Sequence, residues 1–195
     1  MDPRTHVIIA KKIYNALDPQ KKSIIKKKNF IYGNIKPDLV SKYKFKKHYR
    51  KESYEIILDK IEKLSKINSL DEIQKKKYFC NFSQELGVIC HFICDFFCIP
   101  HSERWEFKHS MNKHVKYEKE LASFAKTYTP SQDDFKIWGN MSVKFFLEEA
   151  HKLYRKRESY ENDMQYAYFA CRSIVKYISD CITRNTKAVY SEAIA

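Results

Sequence analysis

Two histidine–carboxylate pairs recur at one spacing in this chain. His91 and Asp95 stand four residues apart in "HFICDFFCIPH" (91–101), and His114 and Glu118 repeat the interval in "HVKYE". Residues at i and i+4 project from one face of a helix, so each pair presents an imidazole nitrogen beside a carboxylate oxygen. His101 lies between the pairs, just past Pro100. The first segment is otherwise apolar, and burying such polar groups is costly unless they find partners. Facing helices of a bundle build metal sites from these side chains, and the donor types suit Zn²⁺. A cation would neutralise the carboxylates and satisfy the imidazole lone pairs. One such pair is common on helices and usually means a hydrogen bond or a surface ion pair. Two pairs with an intervening histidine within 28 residues point to a metal centre. His109 has Lys113 at i+4 rather than a carboxylate, and His151 sits in the charged run "LEEAHKLYRKR"; both read as surface histidines.

The elements that must position these residues are helices. The chain has 195 residues, the size of one domain, here residues 1–195, and 44% hydrophobic residues supply a core. With 3 glycines and 5 prolines it has few tight turns to offer, so the fold class is all-α, a bundle of about seven helices. Thr5 is read as the cap of a helix to Leu17. Asp18 and Pro19 read as N-cap and N1 of a second helix ending near Phe30. "YGNIKPD" (32–38) reads as a loop broken by Gly33 and Pro37. A third helix covers Ser53 to Ile67. Ser69 and Glu72 resemble a capping box that starts a long helix through Cys98, ended by Pro100. Further helices are expected over 110–127, from "TPSQDD" (129–134) to Arg157, and over 160–185.

The net charge of +13 is mostly lysine scattered along the chain, which reads as a solvated surface rather than a dedicated nucleic-acid face. "KKSIIKKK" (21–28) and "KYKFKKHYRK" (42–51) are the runs that would attract anions, including an anionic membrane surface. Cys90, Cys94 and Cys98 recur every four residues on one helical face and read as small core residues, since neighbours so spaced do not suit a disulfide. No CxxC pair occurs. No apolar run reaches the roughly 20 residues of a membrane span, and the N-terminus lacks a signal-peptide pattern, so a cytoplasmic location is expected.

The run His91-x3-Asp95-x5-His101-x12-His114-x3-Glu118 resembles the metal-binding core of the bacterial zinc-dependent phospholipase C family, whose helical fold is shared with S1/P1 nucleases. Upstream features follow in order over residues 5–120. "THVIIA" places His6 as the family's first-helix histidine, "GNIKPD" places Asp38 as its loop aspartate, and "KKHYRK" places His48 as a further ligand. The resemblance implies two or three zinc ions. His48, His91 and Asp95 would hold one, with Asp38 as a further ligand or as the catalytic base that orients water. His101, His114 and Glu118 would hold a second, and His6 with Asp95 a third. Secreted relatives complete that third site with an N-terminal tryptophan; this chain begins Met1-Asp2-Pro3, so Met1 is the candidate ligand there. Leu39 stands where a choline-box aromatic is expected, and Phe45 matches the other aromatic. The implied function is phospholipase C-like hydrolysis of a phosphodiester by metal-activated water, on a phospholipid or another phosphodiester. An S1/P1-type nuclease or nucleotidase ranks below it, because His114 follows His101 closely and the chain is short. A non-catalytic, metal-stabilised helical protein is the third reading.

Overall fold

The computed structural model describes residues 1–40, 49–105, 111–131 and 141–192. These form helices α1 (Pro3–Asn15), α2 (Pro19–Ser23), α3 (Lys27–Gly33), α4 (Lys36–Leu39), α5 (Arg50–Ser65), α6 (Leu70–Gln74), α7 (Lys76–Phe96), α8 (Ile99–Ser102), α9 (Met111–Thr127), α10 (Val143–Tyr154) and α11 (Tyr160–Glu192). No strand occurs among the described residues, and the fold is all-α. None of the helices is long and apolar enough to cross a membrane, among the described residues.

The expected bundle of about seven helices becomes eleven among the described residues because several expected elements divide. The helix expected from Asp18 to Phe30 breaks between Ser23 and Lys27. Ile24 and Ile25 at the break are buried, and the Lys26 N–H donates to Ser83 Oγ at 2.8 Å, so tertiary contacts replace continuous helix. The long helix expected from Ser69 divides at Lys75 and ends at Phe96 rather than Cys98; at its start the Leu70 N–H donates to Thr186 Oγ1 at 3.0 Å. "YGNIKPD" is largely helical, with Gly33 inside α3 and Pro37 in the first turn of α4. Caps also move. Asp2, not Thr5, caps α1, accepting from the Arg4 N–H at 2.8 Å, while Thr5 is buried within the helix. Asp18 caps α2 as expected, accepting from the Lys21 N–H at 2.8 Å. Ser142 caps α10, so that helix starts later than "TPSQDD", of which residues 132–134 lie outside the described residues.

α7 is the central element and packs against α1, α3, α4, α5, α6, α8 and α11. Its Leu86, Val88, Ile89, Phe92, Ile93 and Phe96 are buried, and burial of each such side chain contributes about 1.5–3 kcal/mol. α3 crosses α7 at a glycine pair. A Cβ on Gly87 would lie 2.8 Å from Gly33 Cα and 2.9 Å from Asn34 N, closer than real contacts allow. The absence of both side chains lets the Asn34 backbone approach α7 one turn before His91.

Candidate metal centre

Five elements converge on one buried polar cluster. α1 carries His6 on the face it buries with Ile9, Ala10 and Ile13. α4 carries Asp38, α7 carries His91 and Asp95, α8 carries His101, and α9 carries His114 and Glu118. On α9 these two residues continue into Leu121, Ala122 and Ala125, so the polar pair sits at one end of an otherwise apolar buried stripe. His6, His91 and Asp95 have no solvent exposure at all. Only partners within the cluster can compensate for such burial.

His91 shows what the cluster is built to hold. Its Nδ1 lies 2.8 Å from the Asn34 carbonyl oxygen. A carbonyl only accepts, so Nδ1 carries the proton and donates, which fixes the tautomer. In the neutral ring Nε2 then points its lone pair at Asp95 Oδ2 at 3.3 Å and Asp38 Oδ1 at 3.6 Å. Two carboxylates facing that nitrogen call for positive charge, supplied by a proton on Nε2 or by a cation bound between them. An imidazole oriented through its other nitrogen by a backbone carbonyl is the usual support of a metal ligand. His6 stacks on His91 with ring centroids 4.1 Å apart, and its Nε2 is 3.4 Å from Asp95 Oδ1. Neither ring nitrogen of His6 has a well-formed hydrogen bond among the described residues. Burial would lower the pKa of His6, but Asp95 and the Cys94 thiol outweigh it and raise the ring to about 9. One nitrogen or oxygen each of His6, Asp38 and His91 lie within 4.8 Å of one another, close enough to share one ion.

The second half of the cluster already holds a positive charge. The Met1 ammonium donates to Asp95 Oδ1 at 2.5 Å, lies 2.8 Å from His101 Nε2, and is 3.1 Å from Glu118 Oε1. Burial opposes that charge, yet Asp95 and Glu118 hold its pKa well above the ordinary value. Glu118 Oε1 also lies 2.9 Å from His101 Nε2 and 3.2 Å from His114 Nε2. Burial pushes the Glu118 pKa up, and the Met1 ammonium with His101 and His114 more than reverses this, leaving it low. Burial and then the Met1 ammonium depress His101. This half of the cluster favours an ionised Glu118 and a neutral His101, the protonation states that bind a divalent metal.

Asp163 on α11, which nothing in its local sequence singles out, supports this half. Its Oδ2 accepts from the Ile99 N–H at 3.2 Å and the Tyr117 hydroxyl at 3.1 Å, and its Oδ1 from the Tyr154 hydroxyl at 2.8 Å. One carboxylate thereby ties the first residue of α8, two before His101, to the residue preceding Glu118. Burial raises the Asp163 pKa to about 7 against the pull of those three donors. Cys98 also enters the picture from outside the expected set. Its sulfur shares a space 4.8 Å across with ligand atoms of His101 and Glu118.

Seven of the eight expected ligands therefore meet in one place, together with the Met1 amine. His48 and Phe45 lie outside the described residues, as does His109. Tyr49, the neighbour of His48, is buried with its ring 6.3 Å from that of His101. His151 is not the surface residue expected. Its ring packs 5.9 Å from Phe97 and 5.8 Å from Tyr154, and burial, then Arg50 and Arg155, lower its pKa to about 4. The charged letters around it occupy the other face of α10. Cys90 and Cys94 are core residues as expected, packed against Cys171 of α11.

No curated protein and no solved structure matches the chain. A family model described as zinc dependent phospholipase C matches residues 5–192, nearly the whole length. The donor set, the carbonyl-oriented His91 and the buried polar atoms of His6 fit the zinc of that description, and this chain belongs to the zinc-dependent phospholipase C family.

Proposed function

We propose that the chain hydrolyses the phosphodiester of a phospholipid at a cluster of two or three zinc ions held by His6, Asp38, His48, His91, Asp95, His101, His114 and Glu118, with the Met1 amine as a further donor. The observation that carries this reading is His91 Nε2 facing Asp38 and Asp95 while Nδ1 is committed to the Asn34 carbonyl. Bound zinc polarises phosphoryl oxygens and lowers the pKa of water towards ~7, so that hydroxide is available at neutral pH. Asp38 is the residue we assign to the attacking water. Its side chain is 25% exposed where that of Asp95 is fully buried, and its Oδ1 lies 3.6 Å from His91 Nε2, so it is the carboxylate of this half nearer to solvent. There it accepts the proton of the water and holds it for attack on phosphorus. Asp95, fully buried and central, contributes charge to both halves of the cluster rather than proton transfer.

Exposed apolar side chains adjacent in sequence to the ligands support a lipid as substrate. Leu39, directly after Asp38, is 57% exposed, and Met111 on α9 is 58% exposed. Met111 and Val115 lie on the α9 surface next to the stripe of His114 and Glu118. Exposed apolar side chains beside a phosphate-binding centre suit an acyl-chain environment, and the basic surface suits transient contact with anionic lipid.

Metal analysis of protein purified without chelator is expected to give at least two equivalents of zinc. Hydrolysis is expected on phosphatidylcholine or another phospholipid in mixed micelles and not on single-stranded DNA. Activity on DNA alone would replace the lipid assignment with a nuclease. A His91→Ala variant that keeps both its zinc and its rate would remove α7 from the site.

A further inference from the structure

We infer that Cys98 is a thiolate ligand that joins His101, His114 and Glu118, so that this ion sits in a sulfur-containing shell of four protein donors; the inference rests on the zinc reading above. Cys98 is fully buried. Its sulfur, a His101 ring nitrogen and a Glu118 carboxylate oxygen all lie within 4.8 Å of one another. Zinc–sulfur and zinc–nitrogen bonds of about 2.3 and 2.0 Å put neighbouring tetrahedral donors roughly 3.5 Å apart. The three atoms therefore need to draw together only slightly to close on one ion.

The backbone explains why this cysteine differs from its two predecessors in the four-residue register. α7 ends at Phe96, and Phe97 turns the chain with φ −109° and ψ 40°. Cys98 is extended at φ −130° and ψ 120° and caps α8. Its carbonyl accepts from the His101 N–H at 3.0 Å and the Ser102 N–H at 2.8 Å, so thiol and imidazole belong to one rigid turn. Asp163 pins the next residue through the Ile99 N–H. Cys94 instead lies 3.6 Å from the sulfur of Cys171, and Cys171 donates to the Cys90 carbonyl at 3.3 Å. No hydrogen bond engages the Cys98 sulfur among the described residues. Like Cys90 and Cys94 it is buried in the core, but it is the thiol of the register whose sulfur sits beside histidine and carboxylate ligand atoms.

A fourth protein donor changes the chemistry of that ion. Catalytic zinc keeps a position open for water or substrate, whereas four protein ligands close the shell in structural sites. The thiolate also selects soft, thiophilic metals such as zinc over magnesium or calcium. This assigns the His101–His114–Glu118 ion to holding α8 and α9 together and leaves the reacting phosphate to the Asp38–His91–Asp95 side.

Cobalt-substituted protein tests this without any activity measurement. The wild type is expected to show the near-ultraviolet sulfur-to-cobalt charge-transfer band. Cys98→Ser is expected to lose the band while still binding cobalt, and Cys94→Ser to keep it. Should Cys98→Ser fail to fold, zinc X-ray absorption of the wild type decides instead, with one sulfur scatterer near ~2.3 Å expected. Cobalt bound without the band, a band that survives Cys98→Ser, or a zinc shell of nitrogen and oxygen alone overturns the Cys98 assignment and leaves the zinc reading intact. Protein that binds neither cobalt nor zinc sinks both.

Discussion

Asp95 and Asp163 are both fully buried carboxylates, and both sit beside the same turn of chain around α8. Their surroundings differ in kind. Asp163 is met by three donors that are neutral and fixed, two tyrosine hydroxyls and one backbone N–H. Three of its roughly four acceptor sites are filled, and burial raises its pKa to about 7. Asp95 is met by the Met1 ammonium and, at 3.3 to 3.8 Å, by His6, His91 and His101. An imidazole, once deprotonated, offers a lone pair to a metal, which a hydroxyl already donating or a backbone N–H does not. A carboxylate ringed by dedicated donors holds a fold together. One ringed by other potential ligands leaves room for a cation. Burial alone does not separate the two; the acceptor capacity of the neighbours does.

This contrast is broken most directly by removing one charge at a time. Asp95→Asn is expected to lose most of its zinc, with hydrolysis reduced by more than about 100-fold, since even outer-sphere partners of a metal cost 10–100-fold. Asp163→Asn keeps an acceptor and resembles a protonated carboxyl, so its zinc content and rate are expected to stay within about tenfold of wild type. Equal losses in the two variants would erase the distinction.

Asp163→Ala is the next largest effect. It strips three buried donors of their acceptor, and urea unfolding of the metal-free protein is expected to show a loss of about 3 kcal/mol. Asp163→Asn should recover more than half of it. A stable Asp163→Ala variant would mean that the tyrosine hydroxyls and Ile99 are satisfied elsewhere.

Gly87→Ala tests how α3 delivers its carbonyl to His91. The added Cβ meets backbone rather than flexible side chain, so stability should fall by about 1–3 kcal/mol. Zinc affinity should fall with it, because the Asn34 carbonyl and Asp38 move away from His91 together. A variant with lowered melting temperature and unchanged zinc affinity would show that the crossing matters only for packing. The smallest effect is expected at His151, whose Nε2 is buried without a hydrogen-bond partner among the described residues. His151→Phe should leave zinc content unchanged and stability within about 1 kcal/mol, measured by the same unfolding curve.

Much of the site was legible in the sequence because ligands on one helix obey a local rule. The i, i+4 intervals of His91–Asp95 and His114–Glu118 announce themselves, and both pairs face inward as expected. His6 and Asp38 carry no local signal and were placed only by the ordered family pattern. Their meeting with His91 depends on the close crossing where Gly33, read as a loop breaker, meets Gly87 of α7 and the two serve as a contact surface. Asp163 and Cys98 escaped for a related reason. Their roles follow from the turn at Phe97 and the docking of α11, both tertiary events. The same limit explains the helix count. Periodicity marks where helices form, but buried Ile24 and Ile25 and the Lys26–Ser83 hydrogen bond decide where they break.

Anomalous scattering at the zinc edge, from crystals of protein purified without chelator, tests the central claim most directly. The account predicts separate peaks on the His91–Asp95–Asp38 side and on the His101–His114–Glu118 side. Peaks elsewhere on the molecule, or the Met1 ammonium as the sole cation between Asp95 and Glu118, would contradict it.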